Sequence, residues 1–465
     1  MLTIEQQTAE SVAARNERLA RLEKSADQGW EKVDVKAFRF ALPRLSTEES
    51  FAAVDKAKAT SILDIFLSIL SPEILTTTWN TFPPEYWVYG SGAAAGTFNG
   101  GKLSLKFIYV YLAVYIYICG QQNAPKESSK VRNPLREAIT SALEHFSSQD
   151  PLRRLPSRSI IERFWGRFYI PIVVWPSICK NFQDLLIRPG RCLAGDEKLL
   201  HFTGNSGYIR IVPSKPDRVG LWFFELVATL HNGDPFLVHT RLCNACAETG
   251  DTIPVNKVVK EWASVVRYFA EEKRCPPPVL VFDSYYTDAE GRKFLNENNV
   301  KFIGSIMTYR FRSLMDNLVE HGSMVEKPGQ TSSIFNPQTN EIFVHHWDLN
   351  ADVGKKYVLS NAMNRVPATR SNADIVPAYD QYKGLFNACD KFNRKFHDRK
   401  FCHRSGGGTR MGQNGHTWKF LMACILQNTF SAYKSTHADE SFDLSFCDMC
   451  EILCKELIRH CSTHM

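Results

Sequence analysis

Two aspartates stand where a chain can do metal chemistry. Asp196 lies in RCLAGDEKLLHFTG, just ahead of a hairpin candidate at 208–226, and Asp283 closes the apolar run of PPPVLVFDSYYTD. A hard divalent cation such as Mg²⁺ takes oxygen ligands from separate elements that converge on one point. Carboxylates at strand ends meet that need. Two ions about 3.5–4 Å apart can serve the attacking and leaving oxygens of a phosphodiester. A carboxylate in such a place also reads as a turn former or helix cap. Taken singly, each aspartate leaves both readings open.

A second chemical texture follows in KFNRKFHDRKFCHRSGGGTR, residues 391–410, where Phe392, Phe396 and Phe401 interleave with basic side chains. Arg394, Lys395, Arg399, Lys400 and Arg404 are the candidate phosphate contacts here, with Arg210 and Lys215 as further candidates. Basic residues alternating with aromatics can also hold unpaired bases. The plain alternative is a solvated basic loop. The tail carries Cys447, Cys450, Cys454, Cys461 and His464. The first three cysteines fall at i, i+3 and i+7, the apolar stripe of a helix. They lack the long loop between paired knuckles that zinc modules use, so no zinc is expected. His345, His346 and Trp347 read as ordinary surface residues of a strand.

The elements that must carry these residues are alternating. Short apolar runs at 208–212, 221–226, 279–282 and 302–306 suggest strands. In the segment 255–269, Val255, Val258, Val259, Trp262, Val265, Val266 and Phe269 mark one face of an amphipathic helix. Strands, a helix, then a strand ending in Asp283 make an α/β layout. A β-rich insert spans 309–378, with strand candidates at 341–345 and 356–360. Helices are expected at 135–146, 157–168, 417–433 and 443–461, and a polar one at 2–28. The chain has 465 residues, of which 44% are hydrophobic and 12% aromatic, which excludes a mainly disordered or fibrous protein. Its formal charge of +7 is compatible with a polyanionic partner. The longest apolar run, FIYVYLAVYIYIC at 107–119, is too short to span a bilayer, so no membrane is expected. The odd number of cysteines, 13, favours reduced thiols.

Several blocks together carry a resemblance. GDEKLLHFTGNSGYIRIVPSKPDRVG resembles the first catalytic block of piggyBac-type transposases, through Asp196, Glu197, Phe202, Gly204, Arg210, Val212, Pro213, Lys215, Pro216 and Gly220. VLVFDSYYTD resembles the second block, AYDQYKGLFNACDKFN the third, and HTWKFLMACILQNTFSAY the helix that closes the catalytic domain. More loosely, DIFLSILSPEILTTTWN and RFWGRFYIP resemble the family's N-terminal helical region.

The resemblance implies an α/β fold. A mainly helical N-terminal dimerisation and DNA-binding region would occupy 1–150. An RNase H-like catalytic domain would occupy 151–308 and 379–465, interrupted by a β-rich insertion at 309–378. It implies catalytic acids that bind two Mg²⁺ or Mn²⁺ ions, the first two falling on Asp196 and Asp283. Where the family has its third aspartate, this chain has Asn387, which offers a carbonyl oxygen without charge. Asp390, three positions on, is the substitute ligand to weigh against Asn387. The implied activity is metal-dependent DNA cleavage and strand transfer, that is DNA transposition, weakened or lost at the third acid. The alternative is a catalytically dead, domesticated copy that binds DNA or a protein partner. The implied partners are double-stranded DNA, at transposon ends and an AT-rich target, and a second copy in a homodimer. The implied location is the nucleus.

Overall fold

In a computed structural model of the chain the described residues are 29–33, 38–40, 51–80, 88–89, 96–97, 105–123, 135–149, 155–156, 158–165, 169–202, 206, 208–211, 218–243, 255–347, 354–365, 388–394, 413–437 and 443–463. The expected helix at 2–28 and the site candidates Lys215, Asn387, Lys395, Arg399, Lys400 and Arg404 lie outside them.

A ten-stranded sheet organises the described residues. Its strands are β1 (Glu31–Val33), β2 (Cys192–His201), β3 (Ile209–Ile211), β4 (Val219–Thr229), β5 (Pro235–Leu242), β6 (Val279–Phe282), β7 (Phe302–Ser305), β8 (Thr331–Asn336), β9 (Glu341–Trp347) and β10 (Lys355–Ser360). Their order across the sheet is β1-β8-β9-β10-β7-β6-β2-β4-β5, with β3 paired to β4.

Within it, β5-β4-β2-β6-β7 is the RNase H-like core. β2 and β4 pair antiparallel, as do β4 and β5, whereas β6 runs parallel to both β2 and β7. The parallel crossovers are made by helices α1 (Val255–Glu271), between β5 and β6, and α2 (Ala289–Glu297), between β6 and β7. β6 reads VLVF and all four residues are buried, as a central parallel strand covered on both faces requires. The predicted stripe of α1 is the face that packs inward: Val258, Val259, Trp262, Val265, Val266 and Phe269 are buried.

Strand β2 was not evident from the sequence, since CLAGDEKLLH mixes charges with apolar residues. It runs on past the end of β6 and pairs with β4 from Ala194 to His201. Asp196 therefore sits mid-strand, at the level where β6 ends. The strands of the insertion do not form a sheet of their own: β10 pairs antiparallel with β7 and carries β9 and β8 onto the same sheet. His345 is fully buried, not on the surface, because β9 is covered on that face. Its Nδ1 accepts the Val325 N–H at 3.1 Å, and its ring stacks on Tyr357 with centroids 4.5 Å apart.

The apolar run at 107–119 is the centre of a helix, Leu105–Asn123, buried almost all round. The cysteine tail is also a helix, Phe446–Thr463, which lies against it. The Cys447 thiol donates to the Gly120 carbonyl at 3.2 Å and the Cys454 thiol to the Ala113 carbonyl at 3.1 Å. Cys454 is buried and Cys447 half-buried, and both thiols act as small apolar groups with a weak donor. Among the described residues, no helix is long and apolar enough to cross a membrane.

Candidate active site

The parallel register of β2 and β6 sets Gly195 opposite Phe282. The next residue on each strand is an aspartate, so Asp196 and Asp283 stand side by side where β6 ends. Each carboxylate is oriented by a backbone amide: Glu197 N–H donates to Asp196 Oδ1 at 2.8 Å, and Tyr285 N–H to Asp283 Oδ1 at 2.8 Å. Burial pushes the Asp196 carboxyl far above the ordinary range, and the neighbouring charges of Glu197 and Asp283 push it further. Such crowding of acids is what a bound cation relieves.

Gly195 permits this packing from the other face of the sheet. The Trp262 indole of α1 lies against it, and a Cβ there would come within 2.6 Å of Cη2. Glu197, on the same face, accepts a hydrogen bond from the Tyr286 hydroxyl at 2.7 Å. The buried Tyr286 phenol is held well above its usual pKa, first by desolvation and then by Glu197, so it remains a donor.

On the Asp196 face two further charges are buried. Glu225 of β4 is the cross-strand partner of Asp196, and Lys198 follows Asp196 by two residues on β2. A helical segment at 388–394 covers them. The Cys389 thiol donates to the Ala194 carbonyl at 3.2 Å, and Lys198 Nζ donates to Asn393 Oδ1 at 2.9 Å. Desolvation raises the Glu225 pKa and lowers that of Lys198, and each charge opposes the other's shift. The Asn393 amide also favours the Glu225 carboxylate, although neither Glu225 oxygen completes a hydrogen bond of normal geometry among the described residues. Sequence reasoning passed over this cluster. The signal was present: a lone acid inside the apolar run LWFFELVA has no place in a core without a countercharge.

A basic and aromatic rim adjoins Asp283 and was also missed. Tyr285 packs on the Trp222 indole with centroids 5.5 Å apart, and Arg310, just beyond β7, lies over the Tyr285 ring at 5.6 Å. Arg310 Nη1 donates to the Tyr285 carbonyl at 2.9 Å, and the adjacent Tyr309 is 65% exposed.

The sequence-chosen residues are distributed as follows. Asp196 and Asp283 are brought together. Asp390 and Arg394 are exposed on the helical segment 388–394. Arg210 is half-buried on β3, where its Nη1 donates to its neighbour's carbonyl, Ile209 O, at 3.1 Å. Among the described residues, no three Asp, Glu, His or Cys side chains converge as a metal-binding group.

No family model matches the chain, and no curated protein matches it in sequence. The structure does have a relative among solved structures: a piggyBac transposase, determined by cryo-EM as a synaptic complex with hairpin DNA. That chain is 14% identical, the superposition covers 89% of this chain and 84% of the other, and the TM-score is 0.62. With the strand order and the paired aspartates already in place, this chain has the piggyBac transposase fold, built around an RNase H-like core.

Proposed function

We propose that the protein is a transposase-type DNA-binding protein that retains the first half of a metal-dependent phosphodiester-cleaving site. The placement of Asp196 beside Asp283 at the end of β6 carries this reading. Their donor set fits a hard divalent cation: two carboxylates, each oriented through one oxygen by a backbone amide, in a pocket of crowded negative charge. When bound, Mg²⁺ or Mn²⁺ would polarise a phosphodiester and activate a hydroxyl nucleophile.

The protein's own residues supply the rest. Asp196 and Asp283 would hold the ion where β6 ends. Tyr286 donates its hydroxyl hydrogen bond to Glu197 beside them. Arg310 and Tyr309 contact the DNA strand next to the scissile phosphate, and Arg394 contacts the backbone from the helical segment 388–394. The similarity to a transposase captured with hairpin DNA supports a DNA substrate, and chromosomal DNA as substrate would place the protein in the nucleus.

A second reading, DNA binding without cutting, is favoured by one observation: Asp390 is exposed, and no third acidic ligand joins Asp196 and Asp283 among the described residues. Mn²⁺ calorimetry on the purified chain, Asp196→Asn and Asn387→Asp separates the two. Saturable binding lost in Asp196→Asn supports the assembled site. Binding seen only in Asn387→Asp supports the second reading. No binding in any of the three overturns the metal site.

A further inference from the structure

Lys198 and Glu225 are 3% and 0% exposed. Two buried opposite charges contribute little net stability over apolar side chains of equal size, so stability does not explain their presence. What such a pair does supply is direction. Lys198 lies two residues along β2 from Asp196, the cross-strand partner of Glu225, and its ammonium donates to Asn393, 195 positions away in the chain. Ala388, Cys389, Phe392 and Asn393 carry the contacts of the helical segment 388–394 with the sheet and the core: Ala388 and Phe392 are buried, and the Cys389 thiol is hydrogen-bonded to the β2 backbone. An apolar contact tolerates sliding along a strand; a directed hydrogen bond from a buried ammonium does not. Asp390 lies within this segment, so whatever fixes its register also fixes where Asp390 stands relative to Asp196.

We propose that Lys198, hydrogen-bonded to Asn393, is a positioning residue that locks the helical segment 388–394 in register on β2 beside Asp196. Its role in chemistry rests on the metal-site reading above; the lock itself does not.

The test is hydrogen–deuterium exchange on the full-length chain. Lys198→Met and Asn393→Leu should each speed amide exchange across 388–394 by about tenfold or more, with the amides of α1 and α2 unchanged. Unchanged exchange at 388–394 in both variants overturns the proposal. If Lys198→Met does not fold, the double variant Lys198→Met/Glu225→Met removes both charges together and is read the same way.

A second readout reports function. In an Asn387→Asp background, Lys198→Met should reduce Mn²⁺ affinity about tenfold, as misplaced supporting residues do. In the Asn387 background the affinity should move less than about twofold. Equal losses in both backgrounds would overturn the positioning role. If Asn387→Asp binds no Mn²⁺ at all, the metal reading fails and the exchange result alone decides the lock.

Discussion

The Trp262 indole rests directly on the backbone of Gly195, one residue before the aspartate that anchors the site. No side chain fits between them, so the ring of α1 sets how closely that helix packs behind β2. Gly195→Ala must push the indole or the strand aside. The expected cost is about 2–3 kcal/mol in chemical denaturation. Adding Trp262→Leu, which vacates the space, should return part of it. A Gly195→Ala variant as stable as the native chain would contradict this packing.

The acids of the site repel one another. Asp283→Asn removes one charge from the group formed with Asp196 and Glu197 while keeping shape. The metal-free chain should become more stable, by about 0.5–2 kcal/mol, even as Mn²⁺ binding is lost. Thermal denaturation with and without Mn²⁺ reads both effects. A drop in metal-free stability would mean that the carboxylate is structural.

Arg292 of α2 and Glu341 of β9 form a fully buried two-pronged pair, at 2.7 Å from Nε and 2.6 Å from Nη2. Thr339 donates a third hydrogen bond to Glu341, at 2.7 Å. This pair ties the core helix to the insertion. Arg292→Met leaves a bare carboxylate in the interior and should cost about 3–5 kcal/mol. The double variant Arg292→Met/Glu341→Met should recover most of that, as judged by urea midpoints.

His345 makes stability depend on pH. Burial, with Lys355 and His346 nearby, lowers its pKa from 6.5 to about 4. Between those values the unfolded chain binds the proton and the folded chain does not. Stability from this group is therefore present above pH 6.5 and lost as the pH falls toward 4, by at most about 3 kcal/mol. His345→Phe keeps a ring against Tyr357 and should flatten that stretch of the stability profile, whatever its absolute stability.

Arg310→Ala should weaken binding to duplex DNA uniformly across sequences and reduce the slope of log affinity against log salt by about one. Fluorescence anisotropy at several salt concentrations measures it. An unchanged slope would remove Arg310 from the DNA interface.

Much of this was legible beforehand, and the reasons differ by element. The strand Val279–Phe282 and the helix beginning at Val255 followed from pattern alone, since an apolar run and a seven-residue stripe admit few other structures. Asp283 was legible because it ends such a run. β2 was not, because its two faces pack against different neighbours: Gly195 and Glu197 meet Trp262 and Tyr286, while Lys198 meets Asn393. A strand whose charges are satisfied by distant segments shows no simple alternation. The same cause hid Glu225. Burial of His345 was invisible because it depends on Val325 and Tyr357, which the chain brings together only when folded.

The pairing of β1 with β8 has a consequence for the order of events during synthesis. Glu31 lies opposite Phe335 and Val33 opposite Ser333, so the outermost strand of the sheet is made about 300 residues before its partner. At roughly 5–20 residues per second, this segment spends about 15–60 s on the ribosome with its edge groups unmatched. A chain halted before residue 331 therefore leaves this segment without its sheet partner, open to capture by other nascent chains.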